Sequence, residues 1–494
     1  MDTEIFDVCI IYEHHGEFQG KNIKPWVDKL ISSMPTIRFS VVAIYSGDSN
    51  HQVAKNPFED HVDYHYLNID IRKAWEIPQS SRVTRRGKAL PAASELLKSL
   101  YMGQNLKIAD SMEKLQHQLD MSPQGAHEAF LHSEANWQML RDSYTENAAG
   151  TSFKEFFHLS RALLAPLYAF SELVDSLPAA NCYHALTEGY AGYLGTLLQR
   201  RNDARLISSN QGSQTLPKQQ NLLTDSSSIT TLNSMEYADL WLRLREAMKR
   251  ITNDHATAVT TTSQYQFELS REEINKDKPI HLIPDGIDTD HFFHLFTQHS
   301  AGPPPIVATI GSVVPSRDIK GFIRSIASLR EHMPHVSGWV VGSLDSDPHY
   351  AKECKSLVRN LGLYNHLRFF GDQDESTIYP RIGVLVVNSL ADTPPISLQH
   401  AQAAGVPVVA TNVGACREFI EGREPQDQEL GPSGAVVPIA DPAATANAIF
   451  ALLDNRVKWS KERLVGVERC NRYYTLDVML QRYRTLYQSP AQAA

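Results

Sequence analysis

At 494 residues the chain is too long for a single hydrophobic core and predicts two or three domains. Apolar residues at 42% and charged residues at 21% fit a soluble globular protein, and a formal net charge of −9 argues against a nucleic-acid binder unless a basic cleft is local. Five scattered cysteines, Cys9, Cys182, Cys354, Cys416 and Cys470, form no Cys-x-x-Cys pair, which speaks against a metal cluster and a disulfide framework. The N-terminus lacks a signal-peptide pattern and no apolar run approaches the ~18–20 residues of a membrane span, so no transmembrane segment is expected and a reducing cytoplasm is the expected compartment.

Phe6–Tyr12 (FDVCIIY) is β-rich and predicts the first strand. Trp26–Met34 has helical spacing and Phe39–Tyr45 (FSVVAIY) reads as the second strand, a βαβ opening. Residues 75 to 175 read mostly as helices with polar breaks, Leu97–Leu119 and Ala126–Tyr144 among them, and make a helical insertion in the first domain. Within it SSRVTRRGKAL (80–90) is basic; such a run is usually a solvated face, with the gripping of an anionic acceptor as the minority reading. Cys182–Leu186 resumes strand character before Gly189 and Gly192, a weak sign of a phosphate or sugar seat, and His184 there is either a site residue or a packed strand histidine.

Arg205–Ser209 reads as a strand, and the polar stretch 213–235 as a mobile loop. Asp239–Arg250 is helical in pattern, Ala256–Thr261 and His281–Ile283 are strands, and the Pro-rich AGPPPIV (301–307) is a joint. The expected domains are therefore 1–300 and 301–475, with 476–494 as a last helix and tail. Ile306–Ile310, Gly338–Val341, His366–Phe370 and Gly383–Val387 continue as strands. Val406–Ala410 is a buried-type strand, preceded by helical Gln399–Ala404 and a C′ glycine at Gly405. Ligands of open α/β sheets sit beyond the carboxyl ends of strands, so Ala391–Pro395 and Val413–Ala415 lie at the mouth of a candidate site; a βαβ unit without a ligand is the competing reading. Val457–Tyr487 is amphipathic, and its aromatic stripe reads as packing rather than binding.

Six stretches, taken in order and spacing, carry a resemblance: YHALTEGYAG (183–192), IPDGIDTDHF (283–292), GSVVPSRDIKGFI (311–323), VVGSLDSDPHYAKECKSLVRNLGL (340–363), AAGVPVVATNVGACREFIEG (403–422) and LGPSGAVVP (430–438). Together they resemble the family-4 retaining glycosyltransferases, nearest to the PelF type of bacterial exopolysaccharide synthesis. The resemblance implies an α/β protein of GT-B architecture: two Rossmann-like domains facing an interdomain cleft, a helical insertion in the first, and a last helix returning to the first domain. It also implies a UDP-sugar donor and no metal or other cofactor, because side-chain cations stabilise the charge that builds on the departing diphosphate.

Several positions depart from the family pattern. The family's Gly-Gly pair after the first strand corresponds to Lys21 and Asn22, preceded by Gly20, on an acceptor-side loop with His184; a plain surface loop is the alternative. The family histidine that faces the donor sugar corresponds to Gln211, which hydrogen-bonds but carries no charge. After Gly311, the family's diphosphate-gripping Arg and Lys correspond to Ser312 and Arg317, with Lys320 three residues on; both cations facing solvent is the alternative. The family's paired glutamates, one at the sugar and one on the ribose, correspond to Asp392 and His400. Gly414 and Arg417 are retained, and Arg417 either meets a phosphate or pairs locally with Glu418 or Glu421.

The catalytic candidates are thus Asp392 and Gln211, and the donor-side candidates are Gly311, Ser312, Arg317, Lys320, His400, Gly414 and Arg417. Joint alteration of the site leads to the expectation of a pseudo-glycosyltransferase. Its expected partner is an active paralogous glycosyltransferase or a membrane exopolysaccharide complex, which would hold it at the periphery of the inner membrane. A working retaining transferase acting on a growing polysaccharide is the alternative, and a nucleotide-binding regulator a third.

Overall fold

The computed structural model describes residues 5–14, 16–45, 62–68, 90–121, 125–148, 150, 152–209, 234–298, 302–390 and 396–489. The chain separates into two compact units: Met1–Thr260 with Glu273–His281 and Ser489–Ala494, and Thr261–Glu272 with Leu282–Gln488.

In the first unit, β1 (Phe6–His14), α1 (Gly16–Ser32), β2 (Phe39–Tyr45) and β3 (Val62–Asn68) lead into helices α2 (Leu90–Tyr101), α3 (Asn105–Asp120), α4 (Ala126–His132), α5 (Glu134–Asn147) and α6 (Phe153–Leu173). The sheet resumes with β4 (Ala180–Ala185), α7 (Tyr190–Asn202), β5 (Arg205–Ser209), α8 (Ser234–His255) and β6 (Ala258–Thr261); α9 (Gln264–Glu273), most of it in the second unit, then leads to β7 (Ile280–Leu282). The seven strands lie in the order β3-β2-β1-β4-β5-β6-β7. The recorded pairs are parallel. That is why β1 and β2 read as unbroken apolar runs: helices cover both faces. The helical insertion forms as expected and shares one core with the sheet, with Leu163, Leu167 and Phe170 of α6 buried beside Tyr193 of α7.

Gly20, Lys21 and Asn22, expected in a loop, fall within α1 instead. The helix begins two residues after β1 ends, in a stretch (GEFQGKN) with little to oppose helix but its glycines. The expected helix 97–119 is two, broken at Gly103, whose φ of +66° is left-handed. Ala126–Tyr144 is likewise two, because Ser133 turns extended and its hydroxyl accepts the Asn136 N–H at 3.2 Å as a fresh N-cap.

The second unit runs α10 (Thr289–Thr297), β8 (Ile306–Ile310), α11 (Ile319–His332), β9 (Ser337–Val341), α12 (Pro348–Asn360), β10 (Leu367–Gly371), α13 (Glu375–Ile378) and β11 (Val384–Val387). It continues with α14 (Ile396–Ala403), β12 (Val408–Thr411), α15 (Cys416–Glu421), α16 (Pro425–Gln428), β13 (Gly434–Val437), α17 (Pro442–Leu453), α18 (Arg456–Tyr473) and α19 (Leu476–Gln488). Its sheet, β10-β9-β8-β11-β12-β13, is parallel throughout. By order of appearance this is 3-2-1-4-5-6, the doubly wound arrangement, and it reverses between β8 and β11.

The division falls at 261–282 and not at 300. Ile287, Phe292 and Leu295 are buried in the core of the second unit, beside Leu398 and Tyr379. Residues 261–272 join the same unit because the Glu418 carboxylate accepts the Gln264 and Tyr265 N–H groups, at 2.9 and 3.0 Å, at the start of α9. The last helix, expected to return to the first domain, belongs to the second unit. Thr475 pairs with Ile287 in a parallel bridge that divides the expected helix 457–487 in two, and Arg482 Nη1 donates to the Leu282 carbonyl at 2.6 Å. All five cysteines are buried thiols outside any disulfide. Among the described residues no helix is long and apolar enough to cross a membrane.

Candidate functional site

In a doubly wound sheet the crevice opens where the strand order reverses, beyond the carboxyl ends of the first and fourth strands. In the second unit these ends are Gly311–Arg317 after β8 and Asn388–Leu390 after β11. Gly311 has φ +131° and Gly342, the residue after β9, has φ +136°. A β-carbon on Gly342 would stand 2.1 Å from the Gly311 carbonyl oxygen, so the two backbones approach as only glycine allows. The Leu390 N–H donates to the Ser316 carbonyl at 2.9 Å, tying the two strand ends together. Thr411 of β12 donates to the Ser389 carbonyl at 2.7 Å and steadies the same corner.

Arg317 lies in this corner. Its Nη1 donates to the Ile310 carbonyl at 3.2 Å, and its guanidinium covers Gly311 so closely that a β-carbon there would meet it at 2.4 Å. Burial lowers its pKa, yet a guanidinium remains a cation at neutral pH. Among the described residues it has no carboxylate partner, which leaves fork donors for an anion. Ser312, half-buried beside it, adds a hydroxyl but no charge.

Lys320 goes elsewhere. It sits in the first turn of α11, pairs with Glu353 of α12 at 2.6 Å and lies 5.0 Å from the Tyr350 ring centroid. With Arg324, His349 and Lys352 it lines a surface groove of about 450 Å³ between those two helices. The Lys320 ammonium holds the Glu353 carboxyl below its ordinary range. A helix start directs this side chain toward the neighbouring helix rather than over the strand end.

His400, in the last turn of α14, is also engaged. Its Nδ1 lies 2.8 Å from Glu375 Oε2 and its ring stacks on Phe292 at 4.6 Å. The Tyr379 hydroxyl donates to the same carboxylate oxygen at 3.1 Å. Burial alone would raise the Glu375 pKa, but hydrogen bonding and charge from His400, helped by Tyr379, bring it below its ordinary value. A carboxylate therefore stands beside position 400 although the chain carries none there. Glu375 escaped the sequence reading because its partner lies 25 residues away across a strand.

Gly414 is left-handed at φ +48°. Arg417 takes the local option: Nη1 pairs with Glu421 at 2.8 Å and Nε donates to Asn412 Oδ1 at 3.2 Å. Asp392 and Gln211 lie outside the described residues.

In the first unit the corresponding strand ends are those of β1 and β4. His184 is fully buried, with Nε2 2.7 Å from Ser209 Oγ, which in turn bonds Thr260. Burial pushes its pKa down to about 3, so it is a neutral packed strand histidine. Glu13, which sequence reading missed, is the penultimate residue of β1 and 3% exposed. Its Oε1 accepts from Thr187 Oγ1 and the Ala191 N–H, both at 3.0 Å, at the start of α7. Gly189 has no β-carbon because one would stand 2.5 Å from that oxygen. The glycine read as a phosphate seat instead admits the chain's own carboxylate.

Residues 8–274, more than half of the chain, match the domain of unknown function (DUF3492), and residues 304–455 match the glycosyl transferases group 1. Among curated proteins, the lipopolysaccharide core biosynthesis mannosyltransferase LpsB of Rhizobium meliloti is 26% identical over 222 residues, covering 43% of this chain and 62% of that protein. The GDP-mannose-dependent alpha-(1-6)-phosphatidylinositol monomannoside mannosyltransferase of Mycolicibacterium smegmatis is 25% identical over 254 residues, 47% of this chain and 61% of that one. The chain thus spans less than two thirds of these relatives. Among solved structures, Anabaena HepE with UDP and glucose has a TM-score of 0.55 at 14% identity, covering 98% of this chain and 100% of HepE. The sucrose-phosphate synthase of Thermosynechococcus elongatus has 0.57 at 16%, covering 97% and 98%. At such identity the likeness is one of fold, and the fold is GT-B.

Proposed function

We propose, because the chain belongs to the DUF3492 family and its residues 304–455 match the group 1 glycosyltransferases, that it serves bacterial exopolysaccharide synthesis as a PelF-like protein whose donor site transfers sugar weakly or not at all. The observation that carries this reading is the pairing of His400 with Glu375 and Phe292, at the position where a ribose-binding carboxylate is expected. Ser312 adds to it by supplying no charge beside Arg317. One cation then faces a leaving diphosphate where two are expected. Loss of a charged hydrogen bond costs about 1.5–3 kcal/mol, roughly tenfold to a hundredfold in rate when it acts in the transition state. The retained fold then acts through a partner, an active paralogous glycosyltransferase or a membrane exopolysaccharide complex that keeps the chain at the inner membrane.

The second reading is an active retaining transferase using a UDP-sugar. It is favoured by Arg317, a cation at the strand end with fork donors still open. Calorimetric titration with UDP, UDP-N-acetylhexosamines and GDP-mannose separates the two. Binding weaker than about 100 μM is expected, strengthened by roughly tenfold in the Ser312→Arg, His400→Glu double variant. Micromolar affinity with sustained turnover by the unmodified chain would establish the second reading instead.

A further inference from the structure

Away from both strand-end sites, α6 carries a buried cation with no carboxylate paired to it among the described residues. Arg161 is 3% exposed, in the helical insertion of the first unit. Its Nε and Nη2 are buried and bond nothing among the described residues. These two nitrogens form one edge of the guanidinium, the parallel N–H pair that matches two oxygens of an oxyanion. The guanidinium carbon lies 5.3 Å from the Phe157 ring centroid, a contact that leaves this edge unpaired. A desolvated, uncompensated charge is among the costliest features a fold can hold, and buried polar groups are otherwise almost always paired.

The groups around it are three imidazoles and Lys154, with the exposed carboxylate of Glu128 acting on His132. His127 and His132 on α4 and His158 on α6 are half-buried, and each is made less basic by burial first and by the Arg161 charge among the lesser causes. Two turns along the same face of α6, the Tyr168 hydroxyl is buried and bonds nothing among the described residues, its ring stacked on Phe130 of α4 at 4.4 Å. Glu172 is turned to the His127 backbone N–H at 3.0 Å and not to the guanidinium. We propose that this place between α4 and α6 binds a phosphate-bearing anion, held in a bidentate fork by Nε and Nη2 of Arg161 and flanked by His127, His132 and His158. A doubly charged tetrahedral anion suits one guanidinium and three imidazole donors better than a carboxylate, which carries a single charge. Each of the three imidazoles has part of its surface in solvent.

The test is thermal unfolding of the full chain with sodium phosphate, glycerol phosphate or sodium acetate, each against sodium chloride of equal ionic strength. Inorganic phosphate, glycerol phosphate or both should raise the transition of the first unit by about 2–4 °C near saturation. The stronger of the two identifies a free ion or an esterified phosphoryl group as the natural source. Arg161→Met should abolish the rise and, without ligand, melt no lower than the parent, because it removes an unpaired charge. Arg317→Leu should leave the rise in place. Should Arg161→Met not fold, Arg161→Lys keeps the charge without the fork and should weaken phosphate at least tenfold in equilibrium dialysis. A rise that survives loss of Arg161, acetate matching phosphate, or no phosphate effect on the parent chain would each overturn the proposal.

Discussion

Arg469 is the counter-example to Arg161 within the same chain. It is fully buried, and all its donors are spoken for: Nε to Asp427 Oδ1 at 2.6 Å, Nη1 to the Ile420 carbonyl and Ser433, and Nη2 to the carbonyls of Asp427 and Gly431. Arg469→Met leaves Asp427 charged and buried, and should lower the stability of the second unit by about 3–5 kcal/mol in urea unfolding. A loss under 1 kcal/mol would mean the pair is no net support. His184 makes a prediction in pH. Its pKa is about 3 when folded against 6.5 unfolded, so acid protonates the unfolded chain first. The stability it lends is complete above pH 6.5 and is lost as pH falls toward 3. Between pH 7 and 5.5 the parent should lose about 1 kcal/mol more than a His184→Asn variant, and equal slopes would refute the buried neutral imidazole. Arg317 was legible in the sequence as a cation after a strand. The fates of Lys320 and His400 were not, because Glu353 and Glu375 reach them only through packing of distant segments.

Strands were the most legible elements, and helix ends the least. Phe39–Tyr45, Ile306–Ile310 and Val384–Val387 form where their β-branched runs say they must. β3 and β13 were not read: VDYHYLN is polar at half its positions, and GAVV is short and opens on glycine. The helical insertion was legible as helix from its periodicity, but its breaks at Gly103 and Ser133 depend on single turns. The break at Thr475 depends on a tertiary bridge to Ile287 that periodicity does not register. Ser133→Ala tests the second of these. Removing the cap should cost about 1 kcal/mol, read as a lower melting temperature of the first unit. An unchanged transition would show that α4 and α5 are separated by packing alone.

At the scale of the whole molecule, α/β class and two units were legible, and the point of division was not. A Pro-rich joint near 300 is a local signal, whereas Phe292 and Leu295 join the second core through contacts with residues a hundred positions later. A fragment beginning at 282 should therefore be recovered soluble with a cooperative transition. One beginning at 301 forfeits the buried apolar side chains of Ile287, Phe292 and Leu295, about 1.5–3 kcal/mol each, and should melt lower or precipitate. Equal behaviour of the two fragments would restore the boundary at 300. The carboxylate of Glu418 at the start of α9 has a further consequence, in time rather than in space. On the ribosome, Gln264 emerges 154 residues before its partner, a wait of roughly ten to thirty seconds at 5–20 residues per second. Through that interval α9 has left the tunnel without its cap, so the nascent chain exposes a segment for chaperones or proteases that the finished protein keeps docked.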